Sequence, residues 1–150
     1  MSTKEERERD SKNRELILDQ ICDENQSAKE YIDILCEVWR TWDDIQDADY
    51  TVTRHQILDC FKHLFINLPT NTFFNENRDM LLSQHLSMYN AWIAANEWEQ
   101  GDEIDQMYAH VWKNTLHELV PIVAFILKGR DQMEDTSSLI RKLFKSKLGE

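Results

Sequence analysis

Residues 27–49 decide the fold, and they read SAKEYIDILCEVWRTWDDIQDAD. Apolar side chains recur here every three or four residues: Tyr31, Ile34, Leu35, Val38, Trp39, Trp42 and Ile45. This spacing places them on one face of an α-helix. Ser27 and Glu30 have capping-box spacing, so the stretch predicts an amphipathic helix from about Ser27 to Gln46.

The rest of the chain repeats this helical pattern. Only three Gly and two Pro occur in 150 residues, too few for the turns that a β-sandwich or barrel needs. We therefore predict an all-α fold, a single-domain bundle of five to six helices. The three cysteines are odd in number and lack C-x-x-C spacing, which indicates free thiols in a reducing, cytoplasmic location.

The predicted domain boundaries follow composition. Residues 1–14 show no apolar periodicity and are predicted to be a frayed or disordered N-terminal arm. Residues 15–150 are predicted to form the helical bundle domain. Within it, the Leu-Pro-Thr-Asn stretch at 68–71 should end a helix, residues 70–77 should form a loop, and Pro121 should kink a later helix. Residues 135–150 should form a basic amphipathic C-terminal helix.

The formal charge of −11 is unevenly distributed. Residues 1–14 hold five basic and four acidic groups and residues 128–150 hold six and four, so residues 15–127 carry −14. The negative charge of this segment repels phosphates, which argues against direct nucleic-acid binding and favours a basic partner or a divalent cation. No apolar run approaches the ~20 residues of a membrane span.

Four carboxylates follow the helical pattern within seven residues: Asp43, Asp44, Asp47 and Asp49. The D-D-x-x-D spacing is one that class I isoprenoid synthases use to hold magnesium on a diphosphate. On a helical projection Asp43 lies about 100° from the apolar stripe, Asp47 somewhat further, and Asp44 nearly opposite. The run therefore predicts either a magnesium site or a solvated helix end.

A second polar set follows one face of the next long helical pattern. His85, Tyr89, Trp92, Asn96 and Glu99 recur at spacings of four and three, on the face that holds Leu81 and Met88. One hypothesis joins Asp43, Asp47, Asn96 and Glu99 around Mg²⁺, with His85, Tyr89, Trp92 and Asp105 lining the pocket. The alternative is that Asn96 and Glu99 satisfy neighbouring helix ends and that His85 is a core histidine.

The last helical pattern is basic on its polar side. Arg141, Lys142, Phe144 and Lys145 are candidate partner-binding residues, because a basic amphipathic helix can bind an acidic groove. The alternative is that this helix docks onto the acidic body of its own chain.

Three strings carry a resemblance to a known family: VWRTWDDIQDAD at 38–49, LPTNTFF at 68–74 and AWIAANEWE at 91–99. They resemble a family of small uncharacterised tailed-phage proteins, over roughly residues 30–129. The resemblance implies a phage product in the cytoplasm of an infected bacterium. It implies no catalytic residue, and by analogy it points to a host or defence protein as the partner.

Two functions follow from these observations. The first is a non-catalytic acidic helical protein, with homo-oligomer formation open, that binds a host or defence protein or a small ligand. Abundant Trp, Tyr and Phe supply anchors for such contacts. The second is a magnesium-dependent hydrolase or transferase that acts on phosphorylated small molecules.

Overall fold

The computed structural model describes residues 4–48 and 50–148, with side chains described for 4–48 and 50–143. Within those residues the chain forms seven helices and no strand, which confirms the all-α class. The helices are α1 (Lys4–Cys22), α2 (Gln26–Asp47), α3 (54–70), α4 (Thr72–Glu76), α5 (Arg78–Trp98), α6 (103–128) and α7 (Arg130–Leu148). The predicted number was too low because α4 forms where a loop was expected.

The chain groups into two compact units that meet after Glu76, and the single domain stays a prediction from the sequence. Unit 1 contains α1 to α4, and unit 2 contains α5 to α7. The boundary carries no Pro- or Gly-rich linker, because Asn77 alone joins the end of α4 to the start of α5. This direct junction explains why composition did not reveal it.

In unit 1, α1 and α2 form an antiparallel hairpin. Its apolar contacts come from the second half of α1, where Ile17, Leu18 and Ile21 are buried. Arg14 lies 3.7 Å from Asp33 and Lys29 lies 2.7 Å from Asp19, so early positions of one helix pair with late positions of the other. Residues 4–14 form the first part of α1. A frayed or disordered arm was predicted there.

The start of α2 is built differently from the predicted capping box. Asn25 caps the helix, since its side-chain oxygen accepts a hydrogen bond from the Ala28 N–H at 3.0 Å. The Ser27 hydroxyl accepts instead from the Phe73 N–H at 2.8 Å, and Asn71 donates to the Ser27 carbonyl. Ser27 thereby anchors α4 to α2, and the Tyr31 ring packs against the rings of Phe73 and Phe74.

Helix α3 begins with a capping box formed by Thr53 and Gln56. It changes to a π turn at His63–Asn67, continues through Pro69 and ends at Thr70, within the stop predicted at residues 68–71. Proline has no N–H and its ring crowds the carbonyl four residues earlier. The wider π turn directly before Pro69 provides that room, because its hydrogen bonds join residues five apart.

In unit 2, α5 packs against α6, and α6 packs against α7. Leu81, Met88 and Ala95, spaced seven residues apart, form the buried seam of α5. Helix α6 includes a 3-10 turn at Asn114–Glu118 and is α-helical again through Pro121, where the kink stays a prediction. Helix α7 begins directly after Gly129, whose φ of 87° suits glycine, rather than at residue 135.

Candidate functional site

The acidic end of α2 contains a buried ion pair. Asp44 is only 4% exposed, and its two oxygens accept hydrogen bonds from Arg7 at 2.6 and 3.1 Å. The guanidinium also lies 3.9 Å from the centre of the Tyr50 ring. The hydrogen bond to Asp44 raises the pKa of Arg7 above its ordinary value. Asp44 is therefore a structural residue, whereas the projection placed it on the outer side of α2.

The other carboxylates of this run have different surroundings. Asp43 is half-buried, and Asp47 is exposed as the last residue of α2. Ala48 follows in the left-handed conformation, with φ of 53°, and so ends the helix. Asp49 lies outside the described residues.

Two of the predicted site residues of unit 2, Glu99 and Asp105, are engaged in local contacts. Glu99 forms an ion pair with Lys113 at 2.6 Å, and Asp105 accepts a hydrogen bond from the Asp102 N–H in the capping box that starts α6. Asn96 is half-buried on α5, and its side-chain oxygen accepts no hydrogen bond from the described part of the chain.

The four predicted magnesium ligands thus fall two in each unit, with Asp43 and Asp47 in unit 1 and Asn96 and Glu99 in unit 2. Among the described residues, no three His, Cys, Asp or Glu side chains are grouped so that they could hold a metal ion. The magnesium-dependent enzyme stays a prediction from the sequence.

The residues of α5 that were predicted to line a pocket differ in how far they are buried. His85 and Trp92 are half-buried beside the seam, whereas Tyr89 is 59% exposed and lies on the outer side. The reason is angular, because Tyr89 follows Met88 by one residue and is turned about 100° away from the seam. Burial lowers the pKa of His85 below its ordinary value.

This shift gives a pH prediction for His85. The unfolded chain binds a proton near the ordinary pKa of about 6.5, whereas the folded chain resists it. We expect stability to be retained above that pH and lost below it, by at most about 1.4 kcal/mol per pH unit. His85→Gln should flatten the fall in melting temperature between pH 7.5 and 5, while His55→Gln, at an exposed position, should not. Equal slopes in both variants would contradict the prediction.

An open cleft of about 390 Å³ lies within unit 1. Its walls include Glu30, Asp33 and Glu37 from α2, together with His63 and Asn67 from the π turn. The His63 Nε2–H donates to Glu37 at 2.7 Å, and the Asn67 amide donates to Nδ1 at 2.9 Å. Both ring nitrogens are thus occupied, so this histidine is held in place rather than open to a ligand.

This cleft was not predicted from the sequence. The three- and four-residue spacing of Glu30, Asp33 and Glu37 was a visible signal for one acidic edge on α2. The contribution of His63 and Asn67 depends on the π turn, which the residue pattern did not indicate.

The outer side of α3 carries six large apolar side chains that are exposed. We name this set the α3 apolar face, and its members are Ile57, Leu58, Phe61, Leu64, Phe65 and Ile66. Phe65 is 68% exposed, and its ring stacks on that of Phe61 with centroids 4.6 Å apart. The buried side of the same helix supplies Cys60 and Leu68 to unit 1.

The C-terminal helix is partly engaged with its own unit. Arg141 lies 3.0 Å from Glu118 of α6, and Ile140 is buried. Lys142 is exposed. The side chains of Phe144 and Lys145, the other predicted partner-binding residues, lie outside those described.

Comparisons with protein-family models, with curated proteins and with solved structures find no match to this chain. In the part of the chain that the structure describes, no helix is long and apolar enough to cross a bilayer.

Proposed function

We propose that the chain is a non-catalytic binding protein that engages a protein partner through the α3 apolar face. The exposure of those six side chains carries the proposal. Large contiguous apolar patches are uncommon on the free surface of a folded monomer, and they commonly mark protein contacts. Helix α3 already packs its other side on α2, so its outer side is available for a further contact.

The stacked rings of Phe61 and Phe65 are well suited to anchor such a contact. Aromatic residues are enriched among the few that supply most of the energy of an interface. Two rings already stacked against each other lose little further side-chain entropy when a partner covers them.

The charge of unit 1 favours a basic partner. Residues 1–76 hold nine basic and seventeen acidic side chains, a formal charge of −8. Such a field accelerates the encounter with a positively charged surface. The resemblance to tailed-phage proteins supports a host or defence protein as the class of partner.

We expect charged side chains on the α3 apolar face to weaken binding of the partner strongly. Phe61→Asp with Phe65→Asp should lower capture of partner protein from bacterial lysate at least about 30-fold, because anchor residues contribute 2 kcal/mol or more. The far-UV circular dichroism spectrum should not change, since both side chains are exposed.

Leu16→Asp is the matched control, because Leu16 is an exposed apolar residue of α1 in the same unit. This variant should capture the same protein as the unmodified chain. Equal capture by the double variant and the control would contradict the proposed contact.

A further inference from the structure

A second exposed apolar stripe runs along α5 in unit 2. It consists of Leu82, Leu86, Tyr89 and Ile93, at spacings of four, three and four residues. We name it the α5 stripe. Leu86 is 69% exposed and Tyr89 is 59% exposed, while the seam of Leu81, Met88 and Ala95 faces the interior. The spacing is that of the contact positions in paired helices.

The same segment lacks formal charge. No Asp, Glu, Lys or Arg occurs between Asp79 and Glu97, in a chain of which 30% is charged. Asp79 and Glu97 are exposed at the two ends of this segment, and between them the exposed polar positions that border the stripe are neutral, as at Ser83 and Asn90. His85 does not add charge at neutral pH, because its burial disfavours the protonated form.

The exposed apolar side chains and the lack of charged residues together indicate what kind of partner surface packs against the α5 stripe. In a two-fold interface the same patch meets itself, so a charged residue near the axis would face a like charge. Two chains of −11 each would also repel one another wherever their acidic surfaces met. A contact built on neutral side chains avoids this repulsion. A basic partner would find no carboxylate on the stripe to bind.

We infer that a second copy of this chain covers the α5 stripe, so that two α5 helices pack against each other about a two-fold axis. This self-association uses unit 2 and is independent of the partner contact proposed for the α3 apolar face. Each copy contributes four apolar side chains that the isolated chain leaves in water.

Sedimentation equilibrium of the full chain tests the inference. We expect a species of twice the 17.9 kDa chain mass at micromolar concentration. Leu86→Asp should raise the dimer dissociation constant at least about 30-fold, as expected for a central contact residue. Ile104→Asp is the matched control, an exposed apolar residue of α6 in the same unit, and it should leave the constant unchanged.

Cross-linking gives a second readout that does not depend on the aspartate variant folding. The native cysteines Cys22, Cys36 and Cys60 are buried, so a cysteine added at the surface is the accessible thiol. Oxidation should join two chains of the Leu86→Cys variant, whereas Ile104→Cys should stay unlinked.

Three results would overturn the inference. These are a monomer at all concentrations, a dimer that Leu86→Asp does not weaken, and equal cross-linking of the two cysteine variants. A dimer that is lost in the Phe61→Asp, Phe65→Asp protein but kept in Leu86→Asp would place self-association on the α3 apolar face instead.

Discussion

Replacing Asp44 with alanine is expected to destabilise unit 1 by about 3 kcal/mol. Asp44 is buried and accepts two hydrogen bonds from Arg7, which joins the start of α1 to the end of α2. Removing one partner of a buried pair leaves the other charge uncompensated, and this costs more than the pair itself contributes. Urea unfolding followed by tryptophan fluorescence measures the change in the free energy of unfolding.

Asp47→Ala is the control for this prediction. Asp47 has the same chemistry three residues further along, but it is exposed, so its loss should change stability by less than about 0.5 kcal/mol. Arg7→Met keeps an apolar stem near Tyr50, and combining it with Asp44→Ala should cost less than the two separate losses added together. Equal stability of the Asp44→Ala and Asp47→Ala proteins would show that the ion pair does not hold the hairpin.

Truncating Tyr31 should lower the free energy of unfolding by at least as much as replacing Asp44 with alanine. Its side chain is fully buried and contacts Phe73 and Phe74, so it joins α2 to α4. We expect Tyr31→Ala to lower the free energy of unfolding by about 3 to 5 kcal/mol, from lost apolar burial and from the cavity that remains.

Phe65→Ala is the matched control, because it truncates an aromatic side chain in the same unit that is largely in water. Its effect should lie within about 0.5 kcal/mol. Tyr31→Phe should fall between the two, since the ring is kept and only the hydroxyl is removed. If Tyr31→Ala and Phe65→Ala were equally stable, the assigned core of unit 1 would be wrong.

Several elements were predictable from local sequence because their causes are local. The Thr53 and Gln56 capping box, the end of α5 before Gly101 and the Asp102 cap of α6 all depend on residues within one turn of each other. Helical spacing likewise places Leu81, Met88 and Ala95 on one face of α5.

The candidate site was less predictable, because it required knowledge of which helix covers which face. A projection of α2 placed Asp44 on its outer side, and only the helical course of residues 4–14 brings Arg7 over it. Tyr89 was assigned to a pocket face, yet it is exposed on the α5 stripe. Glu99 and Asp105, predicted to face a pocket, are occupied by Lys113 and by the Asp102 cap.

The sequence by itself determined that this chain is helical, acidic and poor in turn residues, since these properties belong to composition and spacing. The tertiary structure alone decided that Asp44 is buried while Asp47 stays in water, and that the apolar side chains of α3 and α5 divide between inner and outer faces. The physical reason is that periodicity fixes which residues share a helix face. Only packing against other helices decides which face is removed from water.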